Sequence, residues 1–510
     1  MKPNFFPFTH SNYFMKYSQY LLLILLTTIC FLSCKKTDSL SPVPTTLIAD
    51  VSAFETPARI SNQINGLYAT FKGTGLWGSN YILYSEARAG EYISTNQNPL
   101  QGGLTYMMLT DPGTSDVNIV WLQAYQTINA CNVFLDGMDA AGKKVVGDSL
   151  YKNYTAEAKV LRAVTYYSLL QLYARPYREN AGKNRGLPLR LTGNTGLKDY
   201  NLARSSVDSV YRQILSDLNY AETNLPAKYA TPLLNTTRAQ KNTAIAFKTR
   251  VYLSMADYAN VITEANKIVT AVAPFATLNT SATVHSLPAD ITTVFKTPYT
   301  SAESMFSIAF SSADAPGNSL ATNFLPNSAD GAGLGSAGTG QFYLFAGGIV
   351  NDVNWKTTDR RRNFVFTTAA GTNKGRLWCS KFAVGTPYTD YIPVIRYSEV
   401  LLNLAEALAN VNGLDTRSVA ILNAVRGRSD ATTIFKPTDK ADLLSKIINE
   451  RRIEFLGEGL RNGDLMRLGL PVPAKTPVGA TPVPASNPTD GNYIWPIPNN
   501  EALYNQLINQ

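Results

Sequence analysis

Two glutamates four residues apart, Glu450 and Glu454, lie in the stretch "INERRIEFLGEGLRNGDLMRLG" (Ile448 to Gly469). On a helix that spacing puts both on one face. Paired carboxylates flanking a sugar bond are the machinery of a glycosidase, one serving as general acid and the other as nucleophile or base. The interleaved Arg451, Arg452, Arg461 and Arg467 argue against that use. Neighbouring cations lower a carboxyl pKa, whereas a general acid must stay protonated near neutral pH. The segment therefore reads as a structural network in which Glu450, Arg451, Glu454 and Arg461 hold one another, with Glu458 and Asp464 completing the sign balance. "GLGSAG" (Gly333 to Gly338) matches the GxGxxG dinucleotide pattern, but no strand pattern precedes it and no clear helix follows, so it reads as a turning loop. The chain has 2 histidines, His10 and His285. His285, in the loop-like "ATVHSLPAD", reads as a surface residue, and alone it sustains neither a histidine metal site nor a Ser-His-Asp triad. No metal and no cofactor are expected.

Aromatic side chains point to a different chemistry. Trp77, Tyr81, Tyr84, Tyr106, Tyr299, Tyr343, Phe345 and Trp355 fall where helical periodicity lapses. Flat rings stack on the C–H faces of sugars while polar neighbours hold the hydroxyls, which is binding without catalysis. Trp77, Tyr81, Tyr106, Tyr343 and Trp355 are the candidate ligand-binding platform. The competing account is that such large rings fill the core, as aromatics usually do.

Amphipathic helices must position these groups. Val210, Tyr211, Ile214, Leu218, Ala221 and Leu225 recur in steps of three and four, with Ser205 and Asp208 as a capping box and Pro226 as the stop. The same spacing appears in Ala156 to Pro176, Asn242 to Met255, Asp257 to Ala271, Ile395 to Gly413 and Thr416 to Asp430. Abutting helices of this size make hairpins like those of tetratricopeptide repeats. Residues 273–392, rich in Ser, Thr, Gly, Pro and aromatics, read as loops and short strands, and 72–115 has a similar texture. Irregular segments on a helical scaffold are where binding usually sits. The expected fold is mainly α, a helical hairpin scaffold carrying long loop-rich segments and short strands. Its regions are 34–272, then 273–510 with the loop-rich insert 273–392 and a helical pair over 395–469.

The first 33 residues read as a leader. The apolar run from Tyr20 to Leu32 is too short to cross a hydrocarbon core of about 30 Å as a helix. "MKYSQ" from Met15 supplies a positive n-region, which makes Met15 the expected start, and Ser33 precedes Cys34 as at a lipoprotein processing site. Losing residues 1–33 removes Lys2 and Lys16 and leaves a net charge of +7 from the +9 of the whole chain. That modest excess has no dense basic block, so nucleic acid is not an expected partner. Cys131 and Cys379 could form at most one distant pair, not a disulfide framework.

The stretches "SCKK", "ARISNQINGLYATF", "WLQAYQTINACNVFLDGM", "AEAKVLRAVTYYSLLQLYARP", "SSVDSVYRQILSDLNYAETNLP", "IRYSEVLLNLAEALANVNG", "LNAVRGRS", "NERRIEFLGEGLRNGDLMRLG" and "YIWPIP" follow one another in that order. Together they resemble the SusD/RagB family of Bacteroidetes outer-membrane nutrient-binding lipoproteins. The resemblance spans essentially the whole mature length. It implies four tetratricopeptide-like hairpins, display on the cell surface, a lid-like seat on a SusC-like TonB-dependent transporter, and a surface-export signal over Lys35, Lys36 and Asp38. The leading expectation is a non-catalytic binder that hands a glycan to that transporter. The alternatives are a peptide or protein nutrient in the same complex, a surface glycosidase with carboxylates converging in a cleft, or a repeat scaffold gripping a partner peptide.

Acylated Cys34 is the expected membrane anchor, since each buried CH₂ contributes about 0.8 kcal/mol and several chains give stable attachment. Cys34→Ala should move the protein from the membrane to the soluble fraction, and wild-type fractionation of that variant would rule the anchor out.

Overall fold

The structure, a computed structural model, describes residues 1, 3, 52–196, 200–277, 282–331, 338–477 and 479–510. The leader, Cys34 and all of the "GLGSAG" stretch except Gly338 lie outside the described residues. Phe54–Gln510 forms one compact unit.

Helix α1, Pro57–Phe71, shows how local chemistry sets the elements. Thr56 accepts a hydrogen bond from Arg59 N at 3.3 Å, Pro57 opens the first turn, and Ile60, Ile64, Leu67 and Phe71 turn inward on one stripe. After α2 (Asn80–Ala89), helices α3 (Ser115–Gly137), α4 (Lys143–Tyr173), α5 (Val207–Asn224) and α6 (Lys241–Ser254) pack each on the next. The stack continues through α7 (Tyr258–Ala265), α8 (Tyr397–Asn412), α9 (Thr416–Ser429) and α10 (Lys440–Glu454), and α11 (Arg461–Leu468) closes against α2. From α3 to α10, helices adjacent in sequence are adjacent in space, as the hairpin reading expects. From Thr155 to Tyr173, α4 buries every side chain but Lys159, so it is the axis of the core.

Several boundaries differ from expectation. Ser206, not Ser205, caps α5, accepting from Ser209 N at 3.1 Å. The helix expected to reach Ala271 stops at Ala265, and Ile395 belongs to a strand. The largest difference is α2, which occupies the stretch read as irregular: all ten of its residues are buried, and a helix hidden on every side shows no amphipathic stripe.

The two loop-rich segments and the start of the region after the insert supply short strands. β1 (Tyr92–Ser94), β3 (Phe342–Leu344), β5 (Leu377–Cys379) and β4 (Val365–Thr367) form an antiparallel sheet in that order, pairing Ile93 with Tyr343 and Phe366 with Trp378. β2 (Ser304–Ile308) and β6 (Ile392–Arg396) form a second, two-stranded sheet that leads into α8. Cys131 and Cys379 are both buried free thiols.

Ion pairs tie the insert to the C-terminal helices. Arg361 reaches Glu450 at 2.6 Å and Glu454 at 2.9 Å, Arg426 reaches Glu450 at 2.6 Å, and Arg428 reaches Glu303 and Glu454 at 2.6 Å each. Arg396 meets Glu303, Glu454 at 3.0 Å and Glu458 at 2.8 Å, while Lys381 meets Glu458 at 2.6 Å and Asp359 faces Arg361 at 2.6 Å. Five cations and five carboxylates thus balance in the interior. Burial alone would raise the Glu454 carboxyl, but Arg428, Arg396, Arg361 and Lys381 together hold it well below the usual range. A second set joins Arg451 to Asp464 at 2.9 Å and Arg467 to Asp464 at 2.8 Å and to Glu406. Glu450, Arg451 and Glu454 are structural, as expected. Arg461 is the exception: its nearest carboxylate, Glu91, is 3.9 Å away, and two of its buried nitrogens have no hydrogen-bond partner.

His285 is buried rather than at the surface, its Nδ1 lying 3.2 Å from Ala302 O and its ring stacked on Tyr397. The loop-like sequence concealed a packed position. Burial lowers its pKa from 6.5 to about 4.

Two outcomes follow. Arg396→Ala leaves three buried carboxylates short of a cation and should cost about 3 to 5 kcal/mol in urea unfolding, clearly more than Arg461→Ala. Equal costs would mean the network is not the anchor. His285 takes up its proton more readily unfolded than folded, so stability should fall as pH drops from 6.5 towards about 4 and level off below. This component is on the order of 3 kcal/mol. His285→Phe should flatten that part of the stability profile, and an unchanged slope would count against it.

Candidate functional site

The outer face of α3 carries Leu122, Gln126 and Asn129 at helical spacing, while Trp121, Ala124, Ile128 and Cys131 face the core. Half-buried Tyr125 stands between the two faces. Opposite lies the segment after α4. The carbonyl of Arg190 accepts from Tyr166 Oη and Asn132 Nδ2 at 2.8 Å each, and Pro188 O accepts from Tyr125 Oη at 3.0 Å. Asn129 and Asn194 exchange two hydrogen bonds, at 2.8 and 3.0 Å, which fixes the far end.

The third wall is the C-terminal segment. A short helix, Asn499–Tyr504, starts where Asn499 N donates to Pro112 O at 2.9 Å. Asn505 then pairs with the Leu202 backbone in both directions, at 2.8 and 2.9 Å. Glu501 Oε1 accepts from Arg190 Nη2 at 3.2 Å and Glu501 Oε2 from Trp121 Nε1 at 3.2 Å. Together the walls enclose a cavity of about 730 Å³, within the size range of small-molecule sites, with the Tyr504 ring 73% exposed at its mouth. Burial pushes the Tyr125 hydroxyl well above its usual pKa, so it stays a protonated donor.

The lining offers phenol rings, amides and one Arg–Glu pair. These are groups that hold a polyhydroxylated ligand through stacking and paired hydrogen bonds. Among the described residues it holds a single carboxylate, whereas hydrolysis of a glycosidic bond needs two. A smaller groove of about 560 Å³ lies beside α1, where Arg238 covers the Tyr68 ring and pairs with Glu157 at 2.6 Å, and Lys72 meets Asp314.

Four of the five expected platform rings are in the core, which corrects their reading as exposed. Trp77 stacks on Phe71 and donates to Ser168 Oγ at 3.0 Å, and Tyr81 packs 4.9 Å from Trp77. Tyr106 lies under the Lys475 ammonium at 4.6 Å, and Trp355 under the Arg362 guanidinium at 4.2 Å. All four are nearly inaccessible to solvent, because the segments they stand on are folded into the interior around α2 and the sheets. Tyr343 is only partly buried, in β3, with the Arg376 guanidinium 4.5 Å over its ring. None of the five lines the cavity. Glu450 and Glu454 have no solvent access, so no substrate reaches that pair. Sequence reasoning missed Tyr125, Arg190, Glu501 and Tyr504. The polar residues on the outer face of α3 were a signal, but nothing in the sequence brings the C-terminus to them.

Residues 40–253 match a family model described as SusD-like, starch-binding associating with outer membrane, and residues 356–510 match that of the SusD family. SusD-like protein P2 of Formosa agariphila is 25% identical over 97% of this chain and 98% of its own length. Among solved structures, a SusD superfamily protein from Bacteroides fragilis is 32% identical, with a TM-score of 0.76, covering 90% of this chain and 100% of that one. One from Bacteroides thetaiotaomicron shares the fold at 21% identity and TM-score 0.76, over 89% of this chain and 99% of its own. With the helical stack, the short sheets and the ordered motifs of the sequence all accounted for, the chain belongs to the SusD family.

Proposed function

We propose that this protein is a nutrient-binding lipoprotein of the outer membrane, anchored through Cys34 and exposed at the cell surface. It captures an oligo- or polysaccharide in the cavity between α3 and the C-terminal segment and delivers it to a SusC-like TonB-dependent transporter. The observation that carries this reading is the composition of that cavity: tyrosine rings at its mouth and wall, amides and one Arg–Glu pair within. The description of the matching family, which names starch binding and association with the outer membrane, supports the ligand class and the location. A binder rather than a glycosidase fits a cavity with one carboxylate among its described residues. A peptide nutrient is the other reading, and titration with peptides of similar size separates the two.

Tyr504 is the first residue to test. Its ring is 73% exposed, so Tyr504→Ala should leave melting unchanged. Loss of a stacking contact should weaken glycan affinity by about 1 to 3 kcal/mol, roughly tenfold to hundredfold. Tyr343→Ala, away from the cavity, should keep near wild-type affinity, and Trp77→Ala should lose stability instead. Full affinity in Tyr504→Ala combined with lost affinity in Tyr343→Ala would move the site to the sheet.

A further inference from the structure

Among the described residues of the cavity lining, Arg190 and Glu501 are the two that carry charge; they are opposite in sign, 3.2 Å apart, and 18% and 15% exposed. Three donors from separate parts of the chain fix the carboxylate. Arg190 Nη2 and Asn505 Nδ2 reach Oε1, the latter at 2.8 Å, and Trp121 Nε1 reaches Oε2. A carboxylate has about four acceptor positions, so one is left for a ligand hydroxyl. The guanidinium is engaged as well, its Nη2 donating also to Tyr200 O at 2.9 Å. The rest of the lining is amide, phenol and alkyl.

This arrangement discriminates by charge. A uronate or sulfate entering the cavity meets a carboxylate held by three donors, and the one cation among the described lining residues is paired with it. An anion approaching the remaining Arg190 donors, Nε and Nη1, also comes close to Glu501, 3.2 Å from Nη2, and the like charge of that carboxylate offsets the attraction. A neutral sugar meets no such opposition: adjacent hydroxyls can donate to the free position on Glu501 and accept from the surrounding amides.

We infer that the cavity selects uncharged sugar units and that Glu501 is the specificity-determining residue that rejects anionic ones. The inference rests on the cavity being the glycan site.

A panel of neutral oligosaccharides is titrated calorimetrically against the full chain. Each that binds is then oxidised at its primary hydroxyls to uronates, which leaves backbone and linkages unchanged. Oxidation should weaken binding to the wild type by about tenfold or more. Glu501→Gln keeps an oxygen acceptor but removes the charge, so it should move the ratio of oxidised to parent affinity by about tenfold towards the oxidised form. Any steric cost of the added oxygen is common to both proteins, so the double comparison isolates the charge. A wild type that binds oxidised ligands as tightly as their parents overturns the inference, as does an unchanged ratio in Glu501→Gln. The wild-type comparison decides the matter even if that variant folds poorly. Failure of every neutral and oxidised glycan to bind, or binding indifferent to Tyr504→Ala, overturns the site assignment itself, and is a distinguishable result.

Discussion

The balanced interior network of Arg361, Lys381, Arg396, Arg426 and Arg428 with Glu303, Asp359, Glu450, Glu454 and Glu458 is what the C-terminal half is built around. Its members come from β6, α9, α10, the turn after α10 and three parts of the loop-rich insert. The insert buries apolar side chains such as Phe295, Phe306 and Phe342 in the core. Buried charge adds a directional constraint: each ion out of water is tolerable only while its partners stay in place. A residue such as Arg396, with carboxylates on both sides of its guanidinium, fixes β2, β6 and the end of α10 relative to one another in a way dispersion contacts would not. The geometry is directional, so it specifies one arrangement of the insert as well as stabilising it.

How much of this was legible in the sequence depended on whether an element had two different faces. Helices α1 and α5, each with a buried stripe and a wet side, announce themselves by periodicity. Helix α2, with no wet side, reads as irregular, and its Tyr81 reads as part of an exposed platform. The same reasoning explains His285, whose loop-like neighbours gave no hint that the imidazole was packed on Tyr397. The charge cluster was legible as a network because its signs alternate along the chain. Its remote members, Glu303, Asp359 and Arg361, were not, because ion pairing across roughly a hundred residues leaves no local pattern.

The candidate site was the least legible part, for the same physical reason. Its lining converges from α3, the segment after α4 and the C-terminus, and no single stretch carries enough of it to be recognised. Short-range cues identify α3, yet its exposed Leu122 and Gln126 and half-buried Asn129 look like any solvated face until Glu501 and Tyr504 are placed opposite.

The short helix Asn499–Tyr504 buries none of its own residues, although it contributes two of the cavity's side chains. It is attached through backbone groups, Glu501 and the Asn505 amide rather than by a hydrophobic seam of its own. Within this stretch, the side chains that line the cavity are not ones that fill the core. Substitutions at exposed Ala502, Leu503 and Tyr504 escape the packing constraints that restrict α4 or the ion network, so this stretch can diversify between relatives at little cost to stability. The end of the chain is in that sense an interchangeable module, and grafting it between proteins of this architecture would exchange part of a binding surface while leaving the scaffold untouched.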